Sequence, residues 1–432
     1  MARDISAIAA GLQRSLSPGQ VLCGRTDEQS RRHGSDATDD RPVVIVLPET
    51  PHDVQIAVSA AHEHNLPLCV RAGGASAGLP TGDQGLVIDL SREQRVMVDP
   101  EHRTATIAGG ATAGAVATTA LRQRLSAVTG ATAGVGMAGL TLDGGYGPFT
   151  GHFGLALDNL LSAEVVLADG RRVTANPMNE PELFWALRGG GKFGVVTSMR
   201  MRLHPVERVL AGLIVYPWSQ ARSVLSRLGD IFDYTPDELT IRTGLLSGPR
   251  GEPAVLLAPV WSGEMAQGHQ GFEQLQSIGA SSWSHVAATT PAAMLRQFGA
   301  RPVTRRPFHR RSVVVRDCTP DVITALVDAG EVRSSQNARV IVHPFHGAAT
   351  RVHVDATAFD IREPHYMIEI LAAWESDNDA TCLREWADHV STNLAPHAPA
   401  GGDALVAVRL GAVKARFDPD GVFSDARHRF TK

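Results

Sequence analysis

Three dense glycine loops, at 71–78, 130–147 and 188–194, are the parts of this chain best suited to holding a ligand. Glycine lets backbone N–H groups come close to a bound molecule and take positive φ. Successive N–H groups in such turns form concavities suited to a diphosphate. Few side chains nearby could move a proton near neutrality. The chain has only four tyrosines, and one of them, Tyr146, lies in the second glycine loop. His343 and His346 share the run VHPFHGAATRV at 342–352, and Tyr366 follows His365 at the head of another run. Two histidines three apart could suit a metal ion, but no third ligand accompanies them. The four cysteines, Cys23, Cys69, Cys318 and Cys382, form no C-x-x-C pair. No metal is expected, and a reducing compartment fits best.

The elements that must position these residues follow from the pattern. VVIVLP at 43–48 predicts a short buried strand, and ETPHDVQIAVSAAHEHN predicts a helix capped by Thr50 or Asp53. LPLCVRAGG and GLVIDLS read as strands, which makes a strand–helix–strand opening of the α/β nucleotide-binding kind. RTATIA at 103–108 alternates as a strand, and AGAVATTALRQRL suits a helix. LLSAEVVLADGRRVTA predicts a hairpin around Asp169-Gly170. ELFWALRGGGKFGVVTSMRMRLHP reads as helix, glycine turn and strand. From about residue 207 the texture changes to strand-like runs, including DELTIRTGLL, AVLLAPVW, RSVVVRD, ARVIVHPF and HYMIEILAAW. These predict a largely antiparallel sheet with helical cover. Residues 381–392 look helical, and the tail is expected to hold a short helix and a turn.

A chain of 432 residues is too long for one compact core. With 43% hydrophobic and 20% charged residues it reads as a globular protein. A net charge of −4 without a basic block argues against a nucleic-acid partner. No apolar run reaches membrane-spanning length, and the N-terminus has no signal-peptide core, so a cytoplasmic location is expected. Gly134, Gly136 and Gly139 spell G-x-G-x-x-G, but small polar residues rather than a strand precede them, which goes against a Rossmann site.

Several segments, in order, carry a family resemblance. RAGGASAG at 71–78, GVGMAGLTLDGGYGPFTGHFGLALDNLLSAEVVLADG at 134–170, ELFWALRGGGKFGVVTS at 182–198, DATAFDIR at 355–362 and VKARFDPDGVF at 413–423 resemble motifs of the FAD-linked oxidases of the berberine-bridge-enzyme type, in the vanillyl-alcohol-oxidase superfamily. The resemblance covers about residues 40–425. It implies an α+β, two-domain PCMH-type FAD-binding fold with an antiparallel-sheet substrate domain. The implied divisions are an FAD-binding domain at 1–206, a substrate domain at 207–395 and a C-terminal segment at 396–432 that returns to the first domain. It also implies FAD held by Arg71, Ala72, Gly73, Gly74, Ala75, Ser76, Thr132, Val135, Gly136, Ala138, Gly139, Gly144 and Tyr146, with Val196 on the adenine side.

The departures from the family pattern bear on mechanism. Ala75 stands where the family usually has a histidine that bonds the flavin, and Thr132 where doubly tethered members have a cysteine. Neither anchor is present, so the resemblance implies non-covalent FAD. Lys192 replaces a usual asparagine, and GGDALVAVRL at 401–410 lacks the tyrosine that serves other members as base. Val135 resembles the residue type that admits O2. His152 stands at a position that is usually basic. The expected catalytic candidates are Tyr146, His343, His346 and Tyr366. The expected activity is oxidation of an alcohol or amine of a small organic molecule, with O2 as a possible acceptor, in specialised metabolism. The alternative is a cyclase or lyase in which the flavin is structural or not turned over.

Overall fold

The computed structural model describes residues 5–23, 44–73, 85–232, 234–247, 251–297, 308–331, 337–399 and 403–423. Three sheets organise it. In the first, Val44–Val46, Leu86–Asp89 and Leu68–Arg71 run parallel, and Val21–Cys23 pairs antiparallel at the edge. Val44–Val46 and Leu86–Asp89 are buried throughout, as β-branched runs covered on both faces should be. Helix Pro51–Glu63 packs there through Val54, Ala57, Val58 and Ala61, one stripe at helical spacing. It starts at a capping box in which the Thr50 side chain accepts from the Asp53 N–H and Asp53 reaches back to the Thr50 N–H. Both expected capping residues therefore act, in complementary roles.

The second sheet is antiparallel and is built around the long strand Val195–His204, flanked by Thr104–Ala108 and Leu160–Val166. Leu160–Val166 turns back into Arg172–Ala175 through residues 167–171, with Gly170 at φ +80°, the hairpin expected at Asp169-Gly170. The third sheet has seven antiparallel strands in the spatial order Trp283–Thr289, Val209–Pro217, Pro253–Trp261, Leu239–Ser247, Ala338–Phe345, His365–Ala373 and Phe308–Val315. Alternate residues of these strands, among them Leu245, Leu257, Val340, Val342, Ile368 and Ile370, bury themselves against helices Pro320–Glu331 and Asp377–Leu394. The architecture is the α+β arrangement expected.

The tail differs from expectation. It forms a 14-residue helix, Ala404–Phe417, that packs on helix Pro181–Leu187. The Lys414 ammonium lies 2.6 Å from the buried Asp418 carboxylate and donates to the Phe423 and Lys192 carbonyls. Asp418 accepts from the Val422 and Phe423 N–H groups, and Phe423 bridges to Leu68 in the first sheet. No helix among the described residues is long and apolar enough to cross a membrane.

Candidate active site and flavin cradle

The first two glycine loops meet through their backbones. A Cβ on Gly136 would lie 2.0 Å from the Ala72 carbonyl oxygen and 2.4 Å from that of Gly73. Gly73, at φ +68°, has the Gly110 carbonyl 2.1 Å from where its Cβ would be. Only glycine permits such an approach. Ala72, Val135, Ala138 and Val196 converge on one apolar cluster, with Val196 and Ala138 buried. Helix Met137–Leu142 starts here, and its N-cap, Gly136, supplies no side-chain cap. A Cβ at Gly139 would meet nothing within 4 Å. An uncapped helix start beside a bare glycine edge suits a diphosphate, so these residues fit the cofactor implied by the motifs. Arg71 lies 3.6 Å from the buried Asp89 carboxylate. Gly74, Ala75 and Ser76 fall outside the described residues.

The third glycine loop does a different job from the one its sequence suggested. Gly189 and Gly190 pack against Phe359, Ala358 and Leu410, where added Cβ atoms would collide. The Trp185 indole N–H donates to the Asp355 carbonyl, and Arg188 donates to that of Ala356. This segment clamps the 355–362 motif. Arg362, in that motif, forms a bidentate pair with Asp158 at 2.8 and 3.0 Å, with both side chains buried.

Beside Gly147, a largely apolar cavity opens between the second glycine loop, helix Pro291–Gln297 and the face of the seven-stranded sheet opposite helices Pro320–Glu331 and Asp377–Leu394. Ala131 and Tyr146 form one wall, and Thr240, Arg242 and His343 stand on the other. Tyr146 packs edge-on to His343 and His365, with ring centroids 6.3 and 6.0 Å away, and tilts against Phe345. Its hydroxyl is 2.7 Å from His365 Nε2. His365 Nδ1 lies 2.7 Å from the Glu363 carbonyl, which can only accept, so Nδ1 carries the proton and Nε2 accepts from the tyrosine. Burial pushes the His365 pKa down to about 4 and the Tyr146 phenol upward. The pair is therefore neutral near pH 7.

His343 Nε2 lies 3.8 Å from Glu369 Oε2, close enough for charge interaction but too far for a hydrogen bond. Burial works against the Glu369 charge, but His343, Arg310 and Arg339 override it and hold the carboxyl at about 2. Burial depresses the Arg242 pKa, with Glu369 opposing the shift and Arg339 reinforcing it. The sequence reading missed Thr240, Arg242, Glu369 and His365 as a group. A signal was available in period-two alternation, since each places a polar side chain on a strand whose alternate residues are apolar.

Two expected candidates do not reach the cavity. Tyr366 points to the opposite sheet face from His365 and is buried in the helix-covered core, its ring centroid 4.3 Å from that of Phe232. Strand alternation, which separates neighbours to opposite faces, puts it there. His346 follows the end of its strand and packs on Gly151, where a Cβ would meet its Cε1 at 2.6 Å. His152 is tied to Ser262 at 2.9 Å and stacks on Phe153. Gly144, at φ +115°, faces Phe359. Thr132 is half-buried in the turn whose carbonyl accepts from the Val135 N–H. Among the described residues there is no cluster that could hold a metal ion.

Comparison with known proteins decides the cofactor. Residues 42–176 match the family model described as FAD binding domain. Residues 42–176 are an FAD-binding domain. Beyond that segment, the chain is 29% identical over 422 residues to the uncharacterized FAD-linked oxidoreductase YgaK of Bacillus subtilis (strain 168), covering 88% of this chain and 90% of the relative. The chain is an FAD-dependent oxidoreductase. Its fold is similar to that of 6-hydroxy-D-nicotine oxidase from Arthrobacter nicotinovorans, with a TM-score of 0.84 at 24% identity over 94% of this chain and 97% of the other. It is also similar in fold to a variant of berberine bridge enzyme in complex with (S)-reticuline, with a TM-score of 0.82 at 18% identity over 98% of this chain and 97% of the other. This is the PCMH-type FAD-binding fold.

Proposed function

We propose that this FAD-binding protein removes hydride from the C–H bond beside an alcohol or amine of a small organic molecule, with its FAD held non-covalently and O2 as acceptor. The observation that supports this reading is the cavity where Ala131, Tyr146 and Gly147 of the flavin domain face Thr240, Arg242 and His343 of the seven-stranded sheet. Enclosed, mostly apolar clefts with a few convergent polar groups are the usual form of small-molecule sites. In this reading the backbone at 71–76 and 132–139 holds FAD, and Val196 lines its adenine side. When bound, FAD supplies the hydride acceptor.

The chain's own residues would supply positioning and proton handling. In this reading His343 takes the substrate's hydroxyl or amine proton, and Glu369, permanently ionised at 3.8 Å, stabilises the imidazolium that results. Tyr146 is committed as a donor to His365, so it orients the substrate rather than accepting a proton. Ala75 has no nucleophilic atom, and Thr132 does not supply the thiol of the second tether, which supports a dissociable cofactor. The polypeptide would be divided as 1–206, 207–395 and 396–432.

The test is spectroscopic. Purified protein should be yellow, and acid precipitation should release all its FAD into the supernatant; flavin colour in the pellet would end the non-covalent assignment. Anaerobic addition of small alcohols and amines should bleach the flavin band for at least one of them. A flavin band that no alcohol or amine bleaches would overturn the redox reading.

A further inference from the structure

The turn Gly144-Gly145-Tyr146-Gly147 offers one side chain among glycines. Close backbone packing requires the glycines on either side of it. A Cβ at Gly145 would lie 2.4 Å from the Ala156 Cβ, and one at Gly147 would lie 1.8 Å from the Thr129 carbonyl oxygen. The backbone hydrogen bonds of the turn stay near in sequence. The Gly144 and Gly145 carbonyls accept from Leu157 and Ala156, and the Gly147 N–H donates to the Thr150 hydroxyl. The Tyr146 side chain reaches much further. Its hydroxyl donates to Nε2 of His365 at 2.7 Å, 219 residues along the chain. His365 is itself fixed, being 1% exposed with Nδ1 2.7 Å from the Glu363 carbonyl. Its ring stacks on its cross-strand partner Phe345, with centroids 4.2 Å apart and planes 16° from parallel. A ring held at Nδ1 and along one face presents Nε2 in one direction, and Tyr146 lies in that direction. A phenol packed against Phe345 and Phe359 needs an acceptor for its proton. An apolar residue at 365 would fill space but supply neither acceptor nor direction.

We propose that His365 is a positioning residue for the flavin: through Tyr146 it holds the 144–147 turn, and with it the bound flavin, against the seven-stranded sheet. The hydrogen bond joins Tyr146, in the cavity wall supplied by the glycine loop, to the strand beside the one that carries His343. Placing the flavin relative to His343 is thereby the work of a contact that neither the loop nor the sheet makes by itself. This inference rests on Gly144 and Tyr146 belonging to the flavin cradle, and its test reads the bound flavin rather than turnover.

Visible circular dichroism of the FAD-saturated protein is the experiment, with the FAD dissociation constant from equilibrium dialysis and the melting temperature measured beside it. His365→Leu leaves the tyrosine hydroxyl without its acceptor; it should alter the flavin dichroism and weaken FAD binding about tenfold. Tyr146→Phe removes the same hydrogen bond from the other side and should shift the dichroism in the same direction. His365→Gln, which offers an amide oxygen near the place of Nε2, should keep the parent spectrum and bind FAD within about threefold of the parent. Adding His365→Leu to Tyr146→Phe should change the spectrum no further, because both residues act through one contact. Tyr146→Phe and His365→Gln carry the test if His365→Leu does not fold. The proposal is overturned if His365→Leu and Tyr146→Phe lower only the melting temperature and leave the flavin spectrum and affinity unchanged, or if their effects add. A flavin that no alcohol or amine bleaches, beside spectra that change as expected, would remove the redox reading and leave this one standing.

Discussion

At the residue scale the cavity sets a tyrosine hydrogen-bonded to one histidine beside a second histidine that faces a carboxylate. Tyr146 and His365 form a buried neutral pair in which the phenol is pushed up and the imidazole down to about 4, so neither changes charge near neutrality. His343 differs because its Nε2 has no hydrogen-bond partner and faces a permanently ionised carboxylate. His343→Gln should therefore lower the rate of anaerobic flavin reduction about 10²- to 10⁴-fold while leaving FAD content unchanged. Stopped-flow reduction kinetics would show this, and a rate within about threefold of the parent protein would remove His343 from the role of base. The sequence reading put Tyr146 and His343 among its candidates with Tyr366 and His346. It could not separate the four, because which sheet face a side chain takes depends on strand register.

At the scale of elements, much of the scaffold was legible. Thr50 and Asp53 announced the start of helix Pro51–Glu63 because capping is a local interaction among residues three apart. Asp169-Gly170 announced its hairpin for the same reason. Strand Trp283–Thr289 was missed, since it lies at the sheet edge, largely exposed, and shows no apolar alternation to read. The glycine loops were legible as a set but not as individual parts. Those at 73 and 136 meet each other, whereas the loop at 189–190 packs on Phe359 and the C-terminal helix. Gly136→Ala should thus drive a methyl into the Ala72 and Gly73 carbonyls and separate the two loops. Purified Gly136→Ala protein is expected to melt at lower temperature and retain much less FAD, measured as the ratio of flavin to protein absorbance. Full FAD content in this variant would show that the contact does not shape the cradle.

At the scale of the whole molecule, the motifs that carry the family resemblance are largely the joints. Asp158 and Arg362 belong to two motifs more than two hundred residues apart and meet as a buried bidentate pair, and Arg362 also donates to Thr357 and the Ala349 carbonyl. Arg362→Met would leave Asp158 buried without its partner, at a cost of about 3–5 kcal/mol. A large fall in melting temperature is expected, partly recovered in the double variant with Asp158→Asn. A melting temperature unchanged by Arg362→Met would show that the joint contributes little. Lys414, Asp418 and Phe423 act in the same way, returning the chain's tail to the first sheet.

By itself the sequence determined the fold class, the cofactor and the positions of most helices and strands. Those follow from local patterns of capping, alternation and glycine spacing, and from motifs whose order survives along the chain. Only the tertiary structure decided which residues share the cavity. Thr240, Arg242, His343 and Tyr146 come from segments spread over nearly two hundred residues; the register of a seven-stranded sheet brings the first three to one face, and the second glycine loop sets Tyr146 against it.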